Sequence, residues 1–500
     1  MDYNDNMLKT LLALTCFLST AAAQTTPNAS FQETAVIPLF HQANPRMVHF
    51  QTFFKQPIDD QYTLLVVRGG APGSVFPVPL EHPWWDPGTL VGIFVMETAD
   101  PEKTWKLALL PDQDCDCVVS VKRADRQSIV LARHRMDYGF RLQYLKVFFD
   151  IDSKRVIKTI RFIPASASAI KPVNDHLLIS TGGESVRQIA LRAAPDGLAL
   201  ENSPENQNIP FEYSDWRPDS KGTHEDAPMP GLPYETSTQA GFAIDSAGRF
   251  SLMSWAQDSP ASAIGISERS SKRTEEYPLP RSSWEEYSRL RPEIVQMNSG
   301  QFDLLEGIGP HQLVGDKLWF GKVFYDGEGI SGVGGIGYFD LSLRRWTLFA
   351  PSSIAEFSTS ALLVDEGVVW AGLAGFPEGE TYGYGLLRYD PATSRTDLFR
   401  IDELVLTIAR WQDRIFAGTS EGLLVVQDRQ LKRYAFEPGI DGQFEVLSQR
   451  LDSSTSDHSG TPACQPGGPS AAIPSYGRSP GSARAARCAR ADFLFHRAAA

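Results

Sequence analysis

The chain has 500 residues, 42% of them hydrophobic and 21% charged, a balance that excludes a disordered or fibrous protein. Its 60 acidic and 47 basic residues leave a net charge of -13, which weighs against binding a phosphate backbone or an anionic membrane, so no nucleic acid is expected as a partner. Forty glycines and 34 prolines call for many turns and few long helices.

In chain order, Lys9, the apolar run Leu11 to Leu18 and the small residues Ala21, Ala22 and Ala23 before Gln24 read as a secretory signal peptide over residues 1–23. A start at Met7 gives the cleaner basic opening. No other segment approaches the roughly 18 apolar residues of a membrane span. The expected product is secreted or periplasmic, with no span in the mature chain.

Of the five cysteines, Cys16 leaves with the signal and Cys464 and Cys488 fall in the C-terminal tail. Cys115 and Cys117 point to one face if the segment is a strand, and so close a pair makes a strained loop when oxidised. Structural zinc needs four ligands, and no second pair stands in the body of the chain. Asp112, Asp114 and Asp116 imitate a calcium loop, but Cys117 stands where that loop needs glycine and Arg123 where it needs glutamate. Neither metal nor cofactor is expected.

A repeat runs from Gly309 to Pro438. Leu313-Val314-Gly315-Asp316-Lys317-Leu318-Trp319-Phe320-Gly321 leads to Gly335-Ile336-Gly337-Tyr338-Phe339-Asp340-Leu341 and Arg345-Trp346-Thr347-Leu348-Phe349. The pattern returns in Leu363 to Gly372, Gly385 to Pro391 and Thr396 to Phe399, and again in Trp411 to Gly418, Gly422 to Val426 and Leu431 to Tyr434. Trp319, Trp370 and Phe416 mark equivalent positions. Short Val-, Ile- and aromatic-rich strands bounded by tight turns are hairpin chemistry, and this period suits four-stranded blades that bury their faces by stacking radially. Weaker copies include Lys146 to Ile151 with Val156 to Thr159, Asp175 to Ser180, Ile244 to Phe250, and Leu90 to Met96 with Trp105 to Leu107. The expected fold is an all-β β-propeller over residues 34–447, with seven four-stranded blades (six or eight as alternatives) starting near 61, 117, 172, 240, 310, 361 and 404. Insertions are expected near 201–239 and 281–306.

The last three copies resemble the bacterial propeller repeats of two-component-regulator sensors and, more loosely, Kelch and YWTD blades. The resemblance implies architecture more than function, since propellers host binding, docking and several enzyme chemistries. No kinase-like region follows the repeats.

Propellers bind ligands where loops converge at one end, so the insertions are searched first. Asp215, Trp216, His224, Glu225 and Asp226 gather carboxylates, an imidazole and an aromatic in one of them; a solvated loop routed by prolines is the bland alternative. Asp215 and Asp219 also form a candidate acid–base pair for glycoside cleavage. Trp84 and Trp85 offer rings to stack on a sugar or peptide, although such a Trp more often wedges between blades. Arg133 and His134 with Arg135 make a basic cluster suited to an anionic ligand, or simply a charged loop face. No nucleophile elbow, zinc helix, phosphate loop or dinucleotide fingerprint occurs.

Residues 448–500 depart in composition: from 451 onward there are eleven Ala, eight Ser and five Arg but no Lys, Glu or Val. A frameshifted C-terminus and a disordered low-complexity extension both fit. The functional expectation is an exported monomeric module binding a small molecule, glycan or protein without catalysis. A propeller hydrolase or lyase and a sensor domain lacking its output domain are the alternatives.

Overall fold

The computed structural model describes residues 31–71, 89–112, 117–135, 141–181, 187–194, 197–201, 214–215, 242–243, 250–253, 261–267, 274–297, 302–327, 329–376, 381–427, 430–441 and 444–451. Antiparallel sheets of four or five strands follow one another along them. The first holds β1 (His49–Pro57), β2 (Tyr62–Gly70), β3 (Thr89–Glu97) and β4 (Asp100–Asp112). The second holds β5 (Cys117–Ala124), β6 (Ser128–Arg135), β7 (Arg141–Asp150) and β8 (Arg155–Phe162); the third, β9 (Ala169–Val173), β10 (His176–Thr181), β11 (Arg187–Ala194) and β12 (Gly197–Leu200). β13 (Ser214–Asp215) returns to the edge of the second sheet beside β8. The fourth is built from β14 (Phe242–Ala243), β15 (Phe250–Met253), β16 (Ala263–Ser267) and β17 (Thr274–Pro278). After a short strand β18 (Asp303–Leu304), the fifth sheet orders β19 (Gly307–Val314), β20 (Lys317–Val323), β22 (Ile336–Asp340) and β23 (Arg345–Phe349), while β21 (Ile330–Ser331) pairs in parallel with β18. The sixth comprises β24 (Ser358–Asp365), β25 (Val368–Gly375), β26 (Tyr382–Asp390) and β27 (Arg395–Arg400). The seventh adds a fifth strand: β28 (Val405–Trp411), β29 (Arg414–Thr419), β30 (Gly422–Gln427), β31 (Gln430–Pro438) and β32 (Phe444–Leu451).

Six sheet starts fall within a few residues of the expected repeat starts. The first sheet begins a strand earlier, at His49 rather than near 61, because a bulge at Thr52/Phe54 breaks the alternation by which β1 is recognised. The tail boundary also shifts. β32 pairs Ser448 with Tyr434 and Leu451 with Leu431, so the sheet extends to Leu451 rather than ending at 447. Residues 1–30, including the signal segment, and 452–500 lie outside the described residues, as does Cys115.

A recurrent turn explains the third-to-fourth strand hairpins. Asp340 Oδ1 accepts the backbone N–H groups of Ser342 and Leu343, and Asp150 and Asp390 each cap the residue two further on. Each turn then needs a left-handed residue four after the aspartate, and Lys154, Arg344 and Ser394 take it at φ 57°, 54° and 56°.

Two compact units result: Met1–Phe162 with Tyr213–Lys221, and Ile163–Glu212 with Gly222–Ala500. In the first, Leu64, Val66, Ile93 and Val95 share a core with Ile129, Leu131, Leu145 and Val147 of the second sheet. A helix, Phe31–Ala43, buries Val36 and Phe40 against Leu65, Val67 and Phe94. In the second unit the fourth sheet packs on the fifth through Ile264, Ile266, Ile308, Phe320 and Phe339. The fifth packs on the sixth through Trp319, Ile336, Val369 and Leu387, and the sixth on the seventh through Trp370, Leu386, Ile408 and Leu424. The seventh in turn meets the third, where Ala167 N–H donates to Thr419 O at 2.8 Å. Trp319, Trp370 and Phe416 are all buried, at 7%, 7% and 1% exposure.

The 281–306 insertion is partly helical, which turn-rich composition did not suggest. Ser283 caps the helix Trp284–Leu290 in a reciprocal capping box with Glu286, and Pro292 opens the helix Pro292–Met297 at the position where a missing N–H costs nothing. Among the described residues no helix is long and apolar enough to cross a membrane.

Candidate functional site

In the fifth and sixth sheets the chain turns tightly between first and second strands, Val314 to Lys317 and Asp365 to Val368, and between third and fourth, Asp340 to Arg345 and Asp390 to Arg395; the second-to-third links and the links to the next sheet lie at the opposite end. The turn end is Asx chemistry. In the second unit the connection end holds the buried charges.

Register defines one recurrent position there. Bulges in β19, β24 and β28 leave Ile308 opposite Lys322, Thr359 opposite Leu373 and Val405 opposite Thr419. The residues two before those inner-strand positions are Glu306, Phe357 and Glu403. Three successive sheets therefore fill one structural slot with an acid, an aromatic and an acid.

In the fifth sheet the Glu306 carboxylate forms an ion pair with Lys322 and accepts the Val333 N–H at 2.9 Å and the Ser282 N–H and hydroxyl at 3.2 Å. Both side chains are almost wholly buried. In the seventh, Glu403 accepts the Thr419 hydroxyl at 2.9 Å and pairs with Arg433. In the sixth, Phe357 stacks on Tyr384 at 3.5 Å between ring centroids, and the Arg400 guanidinium lies 4.6 Å from the other ring's centre. Gly383 lets this link approach the next: a Cβ there would strike the Glu403 carbonyl.

A second cluster ties the helices to the fifth sheet. Arg291, 2% exposed, grips Asp326 with both terminal nitrogens at 3.1 and 3.0 Å, and also donates to Ser331 Oγ and to Gly332 O at 2.9 Å. Asp326 N–H reaches Phe376 O of the sixth sheet's link at 3.1 Å. Nearby, burial pushes the Tyr287 hydroxyl pKa up. The backbone N–H of Ser283, against a smaller opposing effect of burial, holds the Glu286 carboxyl below its usual range.

Of the residues singled out in the sequence, Arg133, His134 and Asp215 are described. Arg133 lies in β6, not in a loop, and is 2% exposed; a buried strand position is where its chain pairing with Val118 and Gln143 puts it. His134 follows in the same strand, between Cys117 and Leu142 on the ladder. Asp215 is in β13, opposite Ile160, and β7 and β8 separate it from Arg133. Trp84, Trp85, Trp216, Asp219, His224, Glu225 and Asp226 lie outside the described residues. Among those described, no group of three His, Cys, Asp or Glu side chains gathers as metal ligands.

Glu306, Lys322, Arg291, Asp326, Glu403 and Arg433 were not singled out. A signal existed for Lys322 and Thr419, which follow the Trp319 and Phe416 positions by three residues. Their acidic partners Glu306 and Glu403 stand 13 residues before Trp319 and Phe416, as Phe357 stands before Trp370, a constant spacing from which the slot could have been read.

No family model and no curated protein matches the chain. Among solved structures it is similar to YCF48 bound to D1 peptide, at 12% identity over 75% of this chain and 90% of that one, with a TM-score of 0.22. It is similar also to the extracellular domain of a hybrid two component system from B. thetaiotaomicron, at 11% identity over 81% of this chain and 64% of that one, TM-score 0.24. For BamB from Moraxella catarrhalis the values are 9%, 76%, 96% and 0.18. Likenesses this remote carry no argument about function.

Proposed function

We propose that the chain is an exported, monomeric β-propeller module that binds a small molecule, glycan or protein at the connection end of the second unit's sheets, without catalysis. The observation that carries this reading is the asymmetry between the two ends. Burying an ion pair costs desolvation that its mutual attraction seldom exceeds, so such pairs are poor stabilisers and good organisers of a specific geometry. Glu306–Lys322, Arg291–Asp326 and Glu403–Arg433 all sit at the connection end, whereas the turn end is accounted for by hairpin chemistry. Trp284, in the link before the fifth sheet, and Tyr382, at the start of β26, are 41% and 47% exposed, rings suited to stacking on a ligand.

A hydrolase or lyase reading fares less well on the described residues. Glu306 and Glu403 are each committed to a cation within the fold, which leaves neither carboxylate aimed at a substrate. The resemblance to sensor repeats stays with architecture. Within the second unit the seventh sheet packs on the third, and seven blades, with six or eight as alternatives, stays the reading of the repeats.

Panning the purified protein against peptide and glycan arrays tests the site. Ligands recovered should lose binding in Trp284→Ala and Tyr382→Ala and keep it in Leu343→Ala, which alters an exposed residue of the turn end. The opposite ranking, or turnover of an arrayed glycan, overturns the proposal. Export is tested by mass spectrometry of the mature N-terminus, which should begin at Gln24.

A further inference from the structure

We infer that the helices Trp284–Leu290 and Pro292–Met297 form a lid over the buried Glu306–Lys322 pair, latched shut by Arg291 on Asp326. Helices of seven and six residues do not persist alone in water, because nucleation outweighs so few hydrogen bonds; they exist here only while docked. Docking rests on little apolar surface. Tyr287, Val333 and Ala355, with Leu290, Ile294, Val295 and Leu304 around them, form a small cluster separate from the cores that join the sheets.

What remains is polar and concentrated at two points. At the start of the segment, Ser282 donates to Glu306 and accepts from Lys322 Nζ at 3.1 Å. At the bend between the helices, Arg291 closes the first helix with its N–H on Tyr287 O and sends its guanidinium onto Asp326, Ser331 and Gly332. Ser331 Oγ donates to Asp326 at 2.5 Å, so three side chains share one network. Such a network tends to fail together, because without Asp326 the buried Arg291 keeps only the Glu293 carboxylate, at 3.8 Å. Breaking it releases the segment as a unit and uncovers Glu306 and Lys322, while the sheets keep their own cores.

The inference goes beyond the binding reading and does not depend on it, since opening is measured without ligand. Hydrogen–deuterium exchange followed by mass spectrometry is run on the full chain in rising sub-denaturing urea. The amides of 284–297 should exchange at concentrations where those of β25 and β26 stay protected. Asp326→Asn and Arg291→Met should speed exchange of 284–297 by about tenfold or more and leave β25 and β26 unchanged, as for a sub-global opening. Exchange of helices and sheets in one step in the parent chain overturns the lid, and unchanged exchange in Asp326→Asn overturns the latch. Should Arg291→Met fail to fold, the parent series and Asp326→Asn still decide the matter.

Discussion

The indole Nε1 of Trp411 donates to the backbone carbonyl of Asn174 at 3.1 Å, joining residues 237 apart in the chain. Asn174 turns the β9–β10 hairpin with φ 54° and so directs that carbonyl, while Trp411 ends β28 at 5% exposure. The contact sets the seventh sheet of the chain against the third.

Removing that contact has a graded effect. Trp411→Phe should cost about 1 kcal/mol, a hydrogen bond lost with much of the ring kept, and Trp411→Ala about 3 to 5 kcal/mol. Urea melts measure both. A Trp411→Ala effect within about 0.5 kcal/mol, typical of a surface position, would show that the two sheets do not meet there.

The repeat position of Trp370 makes a similar demand. Trp370 packs between the sixth and seventh sheets and stacks on Phe399 with ring centroids 6.3 Å apart. Trp370→Ala is expected to destabilise by about 3 to 5 kcal/mol, whereas Trp216→Ala should leave the melt nearly unaltered. The reverse order in denaturant melts refutes the register of the repeats.

Acid should loosen the first lid helix early. Glu286 is held below the ordinary glutamate value of about 4.3, so its contribution is full above that value and is lost as the pH falls through the lower folded one. Thermal melts taken downward from about pH 6 should show Glu286→Gln less stable than the parent at the upper end, with the difference shrinking below about pH 4. A constant difference across the range would remove the carboxylate from the capping box.

Truncation separates sheet from tail. Deleting residues 452–500 should move the melting temperature by no more than a few degrees, whereas cutting before Phe444 removes β32 and exposes the edge of β31 to solvent. The second cut should lower it by a further 2 °C or so for each 1 kcal/mol lost. Equal melts for the two truncations would mean that β32 contributes nothing.

Much of the strand content was legible locally. The hairpins announce themselves through aspartate and glycine turns, and the apolar alternation around Trp319, Trp370 and Phe416 places those rings in the core without reference to any distant residue. The first sheet was read a strand late because a bulge removes the period of two. The candidate site was legible in smaller part. Arg133 drew notice only as a member of a basic run, and its burial opposite Val118 and Gln143 shows only after the strands are paired.

The chain's own order of residues thus determined where strands begin, how they turn and which side chains shun water, because those choices depend on neighbours within a few residues. Tertiary structure alone decided that Glu306 meets Lys322, that Arg291 reaches Asp326 and that the seventh sheet lies against the third. A buried charge has no stable place until its partner is brought to it, and the partners come from separate segments that only strand pairing and sheet stacking bring together.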